Sequence, residues 1–195
     1  MRKKRYCFFG GLLTLQEKWL NKMASRGYRL VRTGKLLYEF EECDAGQFQY
    51  CVEFIGEKSK ESAGEYHDFL EDVGYRVFYK NINLNYSLGK LRFRPWAEKG
   101  GKIATNGTTF NRELLIVEKE SEGKPFQLHT TFEDRIRYYR TLRNPYLSTF
   151  LLFSAIGILM RAWIWGLFAL PFLVPLLLYQ AEMMRLGKRA RSEEG

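Results

Sequence analysis

The run YLSTFLLFSAIGILM from Tyr146 to Met160, then Arg161, then AWIWGLFALPFLVPLLLY from Ala162 to Tyr179, decides the architecture of the chain. A helix crossing a bilayer needs about 20 apolar residues, at a rise of about 1.5 Å each through roughly 30 Å of hydrocarbon. The run is too long for one span and long enough for two short ones. Arg161 is its only charged residue, and a charge is costly at the bilayer centre, so Arg161 is expected at a turn in the interface. Trp163 and Trp165 flank that turn, while Tyr146 and Tyr179 sit at the opposite ends, which puts aromatic side chains at both interfaces. Pro171 and Pro175 are expected to kink the second arm. The apolar character is continuous rather than amphipathic, which argues against a buried helical hairpin of a soluble protein. Both arms are short, so a re-entrant hairpin stays open beside a spanning one.

Arg135, Arg137, Arg140 and Arg143 precede the run, and Arg185, Lys188, Arg189 and Arg191 follow it. Basic flanks stay on the cytoplasmic side. Two basic flanks therefore predict a hairpin in a cytoplasmic membrane with both termini inside. In a chain of 195 residues this leaves room for one domain of ordinary size. The expected boundaries are 1–131 for a cytoplasmic domain, 132–144 for an amphipathic juxtamembrane helix, 145–180 for the hairpin and 181–195 for a basic tail.

The net charge of +9 suggests nucleic acid, but its distribution argues otherwise. The excess lies in Arg2, Lys3, Lys4 and Arg5 and beside the apolar run; the stretch between is nearly balanced. Anionic lipid attracts such clusters, and positive-inside topology accounts for them equally well. The opening MRKKRYCFFGGLLTL mimics a signal peptide, yet its apolar part is short, is broken by two glycines and lacks a small-residue cleavage site. It reads as a strand leading into a helix. Cys7, Cys43 and Cys51 are an odd set without metal or redox spacing, as expected of reduced thiols in a cytoplasmic domain.

Two stretches of this domain repeat one pattern. Tyr6-Cys7, a helix and Gly27-Tyr28-Arg29-Leu30 are matched by Tyr50-Cys51, a helix and Gly74-Tyr75-Arg76-Val77. Thr14 with Glu17, and Ser62 with Glu65, have the spacing of a capping box at each helix start. Gly27 and Gly74 suit the left-handed residue that closes a helix, with the following tyrosine packing back on Met23 or Leu70. Trp19, Leu20, Met23 and Ala24 form the apolar face of the first helix, and Tyr66, Phe69, Leu70 and Val73 that of the second. Alternation through Leu36, Tyr38 and Phe40, interrupted before it at Thr33-Gly34, gives a strand. Asp44-Ala45-Gly46 turns into another strand, carrying Phe48, Tyr50, Val52 and Phe54. The order βαββαβ predicts an α+β, ferredoxin-like domain with its helices on one face of an antiparallel sheet.

Strand signals continue through Val77, Tyr79 and Ile82, at Leu91 and Phe93, and from Leu114 to Val117. Trp96 to Gly107 reads as a loop, and Ser121 to Pro125 as a turn. Thr130 with Glu133 makes a third capping-box pattern. The helix after it shows Phe132, Ile136, Tyr139 and Leu142 on one face, and Pro145 is expected to end it.

The string Trp19-Leu20-Asn21-Lys22-Met23-Ala24-Ser25-Arg26-Gly27-Tyr28, followed by the strand Tyr38-Glu39-Phe40-Glu41, resembles the W-L-N-x-M-A-x-x-G-Y and Y-x-F signature of a bacterial domain of unknown function, number 2812. Phe69 to Tyr75 is similar to the ending of that family's second helix. The resemblance covers roughly Tyr6 to Arg94 and extends toward Arg143. It implies a bacterial cytoplasmic-membrane protein, often with two membrane helices and frequently encoded beside PadR-type regulators. It implies no activity.

The residues that carry chemistry are few. His67 lies on the second helix, and His129 lies near Glu133 and Asp134; either would need further ligands to hold a metal. Cys7 or Cys51 as a nucleophile would need a histidine and an orienting group, and both sit in expected strands. No phosphate-cradling glycine motif follows a strand. The strand from Gln49 to Phe54 lacks the glycine–aromatic pattern of an RNA-binding sheet, so no nucleic-acid partner is expected. Tyr38, Phe40, Tyr50, Phe54 and Tyr79 are candidates to line a sheet face left open by the helices, although some of them must be core; such a face would be an aromatic patch suited to a partner. The expectation is a non-enzymatic, cofactor-free sensor or regulatory adaptor, contacting membrane lipid and a protein partner or small ligand. The alternative is a hairpin subunit accessory to a transporter or membrane enzyme.

Overall fold

The computed structural model describes residues 2–88, 91–95, 103–104, 112–124, 126, 128 and 131–193. The expected loop at Trp96–Gly107, apart from Ile103–Ala104, lies outside the described residues, as do Pro125, His129 and Thr130. The chain forms two compact units, one of residues 1–94 and 99–129, the other of residues 95–98 and 130–195.

The first unit is α+β. Its elements are β1 (Arg2–Tyr6), α1 (Leu13–Ala24), β2 (Tyr28–Thr33), β3 (Leu37–Glu42), β4 (Phe48–Phe54), α2 (Lys60–Asp72), β5 (Arg76–Lys80), β6 (Tyr86–Leu88), β7 (Leu91–Phe93), β8 (Ile103–Ala104) and β9 (Leu114–Glu120). The sheets are three-stranded and antiparallel, in the orders β1-β3-β2, β4-β9-β5 and β6-β7-β8. A single ferredoxin-like sheet would set β1 beside β4. Among the described pairings β1 lies on β3, and β4 lies on β9 instead. The reason is in β9: Leu114 to Glu118 are all buried. A continuous apolar run belongs in the middle of a sheet. β9 therefore takes the place between β4 and β5 that a strand of the repeated unit was expected to fill.

The basic start has a structural role. Arg2, Lys4 and Tyr6 of β1 pair with Glu41, Glu39 and Leu37 of β3, and Lys4 Nζ lies 3.9 Å from Glu39. Opposite charges across a pair stabilise it modestly, and a lysine-rich edge resists pairing with a second chain.

The expected helix ends are sound for α2. Gly74 has φ +93°, Tyr75 N–H donates to Leu70 O and Gly74 N–H to Glu71 O, a Schellman ending. α1 ends differently. Arg26 and Gly27 donate to Met23 O and Ala24 O, and Gly27, at φ +78°, comes one position later. A Cβ on Gly27 would stand 2.8 Å from Cys43 O. Only glycine fits there.

The expected helix starts are corrected. α1 begins after the turn at Gly10 and Gly11, with Leu12 as N-cap and no side-chain cap bond, so Thr14 lies inside the helix. α2 is capped by Ser59, whose hydroxyl accepts from Ser62 N–H. The apolar face of α2 shifts with it: Ala63 and Leu70 are buried, while Phe69 and Val73 are exposed.

The second unit is a helical hairpin, α3 (Phe132–Leu159) and α4 (Ile164–Glu193). Thr131 and Asp134, not Thr130 and Glu133, form the capping box of α3. Pro145 does not end the helix; it lies inside it. Proline there removes one backbone donor, a local loss that a helix packed along its length absorbs. The turn falls at Arg161, φ +49°, with Ala162 N–H donating to Gly157 O and Arg161 N–H to Ile158 O. Arg161 thus fills the slot usually given to glycine in a Schellman ending. α4 passes Tyr179 without a break, so the basic segment 181–193 is helical.

Candidate functional site

In the first unit the register places Tyr50, Glu118 and Arg76 in one row across β4, β9 and β5. Glu118 is buried. Its Oε2 accepts from Tyr50 Oη at 2.7 Å, and its Oε1 accepts from Arg29 Nε at 2.9 Å and Nη2 at 2.8 Å. Tyr50 Oη in turn accepts from Leu30 N–H at 2.7 Å. Burial, reinforced by the neighbouring Glu118 charge, pushes the Tyr50 hydroxyl far above its ordinary pKa, so it stays a donor. The hydrogen bond to Glu118 raises Arg29. The Arg29 guanidinium lies over the Phe48 ring at 4.2 Å. Beside this group is an open groove of about 310 Å³, lined by Arg29, Phe48, Tyr75, Arg76, Glu118 and Glu120 among others. Glu118 is held on both oxygens, so it fixes a guanidinium rather than shuttles a proton. The groove offers that guanidinium above an aromatic floor.

α1 closes the free edge of β4. Asn21 Nδ2 donates to Tyr50 O at 2.8 Å, and Asn21 Oδ1 accepts from Tyr50 N–H at 2.9 Å. Glu17 Oε2 accepts from Val52 N–H at 3.2 Å. The carboxamide reproduces the pairing that a neighbouring strand would supply.

The expected aromatic face is not open. Tyr38, Phe40 and Tyr50 are buried. Trp19 covers Tyr38 and Phe40 at centroid distances of 5.0 and 5.6 Å, and Phe9 packs on Tyr38 from its other neighbour. Phe54 and Tyr79 are half-buried, and Tyr79 stacks on the His67 ring at 4.8 Å. Of the motif residues, Leu20, Met23 and Ala24 are core, Asn21 holds the β4 edge, Gly27 makes the close turn, and Tyr28 lies under Lys3 Nζ at 4.0 Å.

Lys80 is the group that periodicity missed. It is buried, donates to Lys35 O at 2.7 Å and, more closely, to Gly34 O, and lies over the Tyr38 ring at 4.3 Å. Burial lowers its pKa to about 8. Glu118 was legible in principle, being a carboxylate that directly continues the apolar run Leu114 to Val117. Arg29 carries no such signal. His67, Asp68 and Glu71 bring three donor atoms within 4.8 Å of one another on exposed α2, where His67 Nδ1 lies 3.2 Å from Asp68. Burial raises the Cys7 and Cys43 thiols, so neither is an activated thiolate; Cys51 is buried.

In the second unit Tyr139 is fully buried and stacks on Tyr179 at 6.2 Å, with Tyr146 at 5.9 Å from the same ring. Arg143 donates to Gln180 Oε1 at 2.8 Å and to Asn144 Oδ1 at 3.0 Å, tying α3 to α4. Arg137 lies 3.9 Å from Asp134, Arg140 is exposed, and Arg135 and Ile136 are half-buried. At the turn, Trp163 is 79% exposed while Trp165 stacks on Phe153 at 6.2 Å. Both helices are long and apolar enough to cross a membrane by length and composition, and their apolar windows are only 6% and 11% buried.

No curated protein and no solved structure matches the chain. The family model described as "Protein of unknown function (DUF2812)" matches residues 13–151, from the start of α1 through the edge-holding Asn21, the Arg29–Glu118–Tyr50 group and into α3, and the chain belongs to that family.

Proposed function

We propose that the chain is a membrane-anchored sensor or regulatory adaptor, whose α+β unit works on the cytoplasmic side and binds a protein partner or a small ligand. The observation that carries this reading is the hairpin. Leu151, Leu152, Ile158, Leu159, Val174 and Leu177 are all more than half exposed, an outward apolar surface that a soluble protein does not keep. Its open end carries Arg135, Arg137, Arg140 and Arg143 on α3 and Arg185, Lys188, Arg189 and Arg191 on α4. That charge favours both ends inside. The Arg29 groove supports the binding role, since it sets a guanidinium over an aromatic ring among basic and acidic side chains, Arg76 and Lys119 beside Glu118, Glu120 and Glu122.

The test is impermeant thiol labelling of intact bacterial cells, in a chain with Cys7, Cys43 and Cys51 replaced. Arg161→Cys is expected to react and Ser192→Cys to react only after lysis. Labelling of both positions, or of Ser192→Cys alone, defeats the topology. The outward apolar surface also favours a second reading, an accessory subunit whose hairpin makes the main contacts. A partner that co-purifies with the full chain and is lost on Arg29→Ala favours the adaptor. A partner that survives that change and is lost on Leu151→Ser with Leu152→Ser favours the accessory subunit.

A further inference from the structure

We infer that the groove between α3 and α4, beyond the tyrosine cluster, is a binding site for an anionic phospholipid. The inference rests on the membrane reading above. The groove has a volume of about 350 Å³; Ile136, Met183, Met184 and Gly187 make its apolar part, and Lys188 and Arg191 its basic end. Among the described residues no carboxylate lines it. The nearby Glu182 is engaged by Arg185 at 2.8 Å.

Its depth fits the same occupant. The apolar stretch Tyr146–Met160 rises only about 22 Å at the α-helical rise. A hydrocarbon core of roughly 30 Å needs about 20 residues per helix. Counted from the turn, that length reaches Thr141 on α3 and Met183 on α4, and the charged Arg143 and Glu182 just inside it mark the interface. The methionines therefore border the acyl region, and Lys188 and Arg191 stand about one to two helical turns further out, at headgroup level. The glycerol and ester region of the lipid lies against Ile136, Met183 and Met184 while the phosphate meets the two basic side chains. Basic pockets between membrane helices on the cytoplasmic side recognise anionic headgroups in this way.

Gly187 supplies the means of testing the shape separately from the charge, because a Cβ built there meets nothing within 4 Å. The experiment is native mass spectrometry of the full chain, released from micelles doped with equal amounts of phosphatidylglycerol and phosphatidylcholine. The wild-type chain is expected to retain phosphatidylglycerol with a preference of roughly thirtyfold, the order expected of two basic residues at a lipid surface. Lys188→Gln with Arg191→Gln should bring it near parity. Gly187→Trp, which fills the groove at unchanged charge, should do the same, with Gly187→Leu as a milder filling. Arg185→Gln with Arg189→Gln removes equal charge outside the groove and should leave the preference intact. An equal loss in that control pair, or full retention in both Gly187 variants, overturns the site. Displacement by excess inorganic phosphate overturns the lipid as occupant. Alkaline carbonate extraction separates the two readings: release of the wild-type chain from membranes defeats the anchoring, whereas a resistant chain without lipid preference defeats the groove alone.

Discussion

Asn21 offers the sharpest test of how the α+β unit is held. Its carboxamide makes the bonds at 2.8 and 2.9 Å that satisfy both backbone groups of Tyr50, and its Nδ2 also donates to Glu17 O at 2.9 Å. Asn21→Leu keeps the size and the helix propensity but strands the Tyr50 N–H and C=O at a partly buried edge. Each stranded group costs about 1–3 kcal/mol; partial burial puts the pair at about 3 kcal/mol. Asn21→Asp keeps an acceptor for Tyr50 N–H and sets a carboxylate oxygen against Tyr50 O. A protonated Asp restores a donor, so its folded pKa is raised, the folded state binds the extra proton, and the deficit should shrink as pH falls through that pKa. Urea unfolding of the full chain in detergent gives the loss. Hydrogen exchange at the Tyr50 amide should accelerate by about 100-fold in Asn21→Leu, the factor that corresponds to about 3 kcal/mol. A loss within about 0.5 kcal/mol and unchanged Tyr50 protection would refute the idea that this side chain closes the strand edge.

Gly27→Ala and Gly74→Ala should differ. Both force a Cβ into the left-handed region, at about 1 kcal/mol; only at Gly27 does the new atom also meet Cys43 O, at 2.8 Å, so a total of about 3 kcal/mol is expected there with the added overpacking, and equal losses on urea unfolding would remove the close turn from the argument. Lys80 should make stability rise with pH, because its folded pKa of about 8 lies below its ordinary 10.5: between these values the unfolded chain binds the proton and the folded chain does not. Relative to Lys80→Met, the wild type should gain about 2 kcal/mol from pH 7 to 9.5, measured by parallel urea titrations, and a flat difference would mean that the ammonium is solvated.

What the sequence disclosed was local. The hairpin and its turn at Arg161 follow from composition, and the left-handed Gly27 and Gly74 from helix-ending chemistry within a few residues. The caps were less legible because competing hydroxyls lie within one turn: Ser59 against Ser62, and Thr131 against Thr130. A capping pattern identifies a helix start but not which of two neighbouring residues leaves the helix. Strand order was not legible at all. The paired residues of β4 and β9 lie sixty or more positions apart in the chain, and no periodicity in either strand names the other as partner. The aromatic face was misread for a related reason. Alternation puts Tyr38 and Phe40 on the side of the strand where Trp19 arrives, and only the structure shows that Trp19 covers them.

The polar contacts supply what the hydrophobic pattern left out. The sheets β1-β3-β2 and β4-β9-β5 are joined by side chains acting as backbone partners. Thr33 Oγ1 donates to Tyr79 O at 2.8 Å, and Lys80 Nζ reaches the carbonyls of Gly34 and Lys35. Tyr50 Oη accepts from Leu30 N–H while donating to Glu118, which also holds Arg29. Asn21 and Glu17 close β4 from the helix side. Each join has one partner from the segment Glu17–Lys35 and one from β4, β5 or β9. Such bonds are directional, and a partner lost from a buried one costs more than the bond contributes on average. The relative placement of the sheets therefore depends on a few polar residues that hydropathy scores as surface. Arg29 belongs to this seam and also lines the groove. An anionic ligand drawn to Arg29 would compete with Glu118 for the guanidinium, and weakening that pair would loosen the seam at Tyr50 and Leu30. Under the proposed reading, binding in the groove would have a direct physical route to the packing of the two sheets.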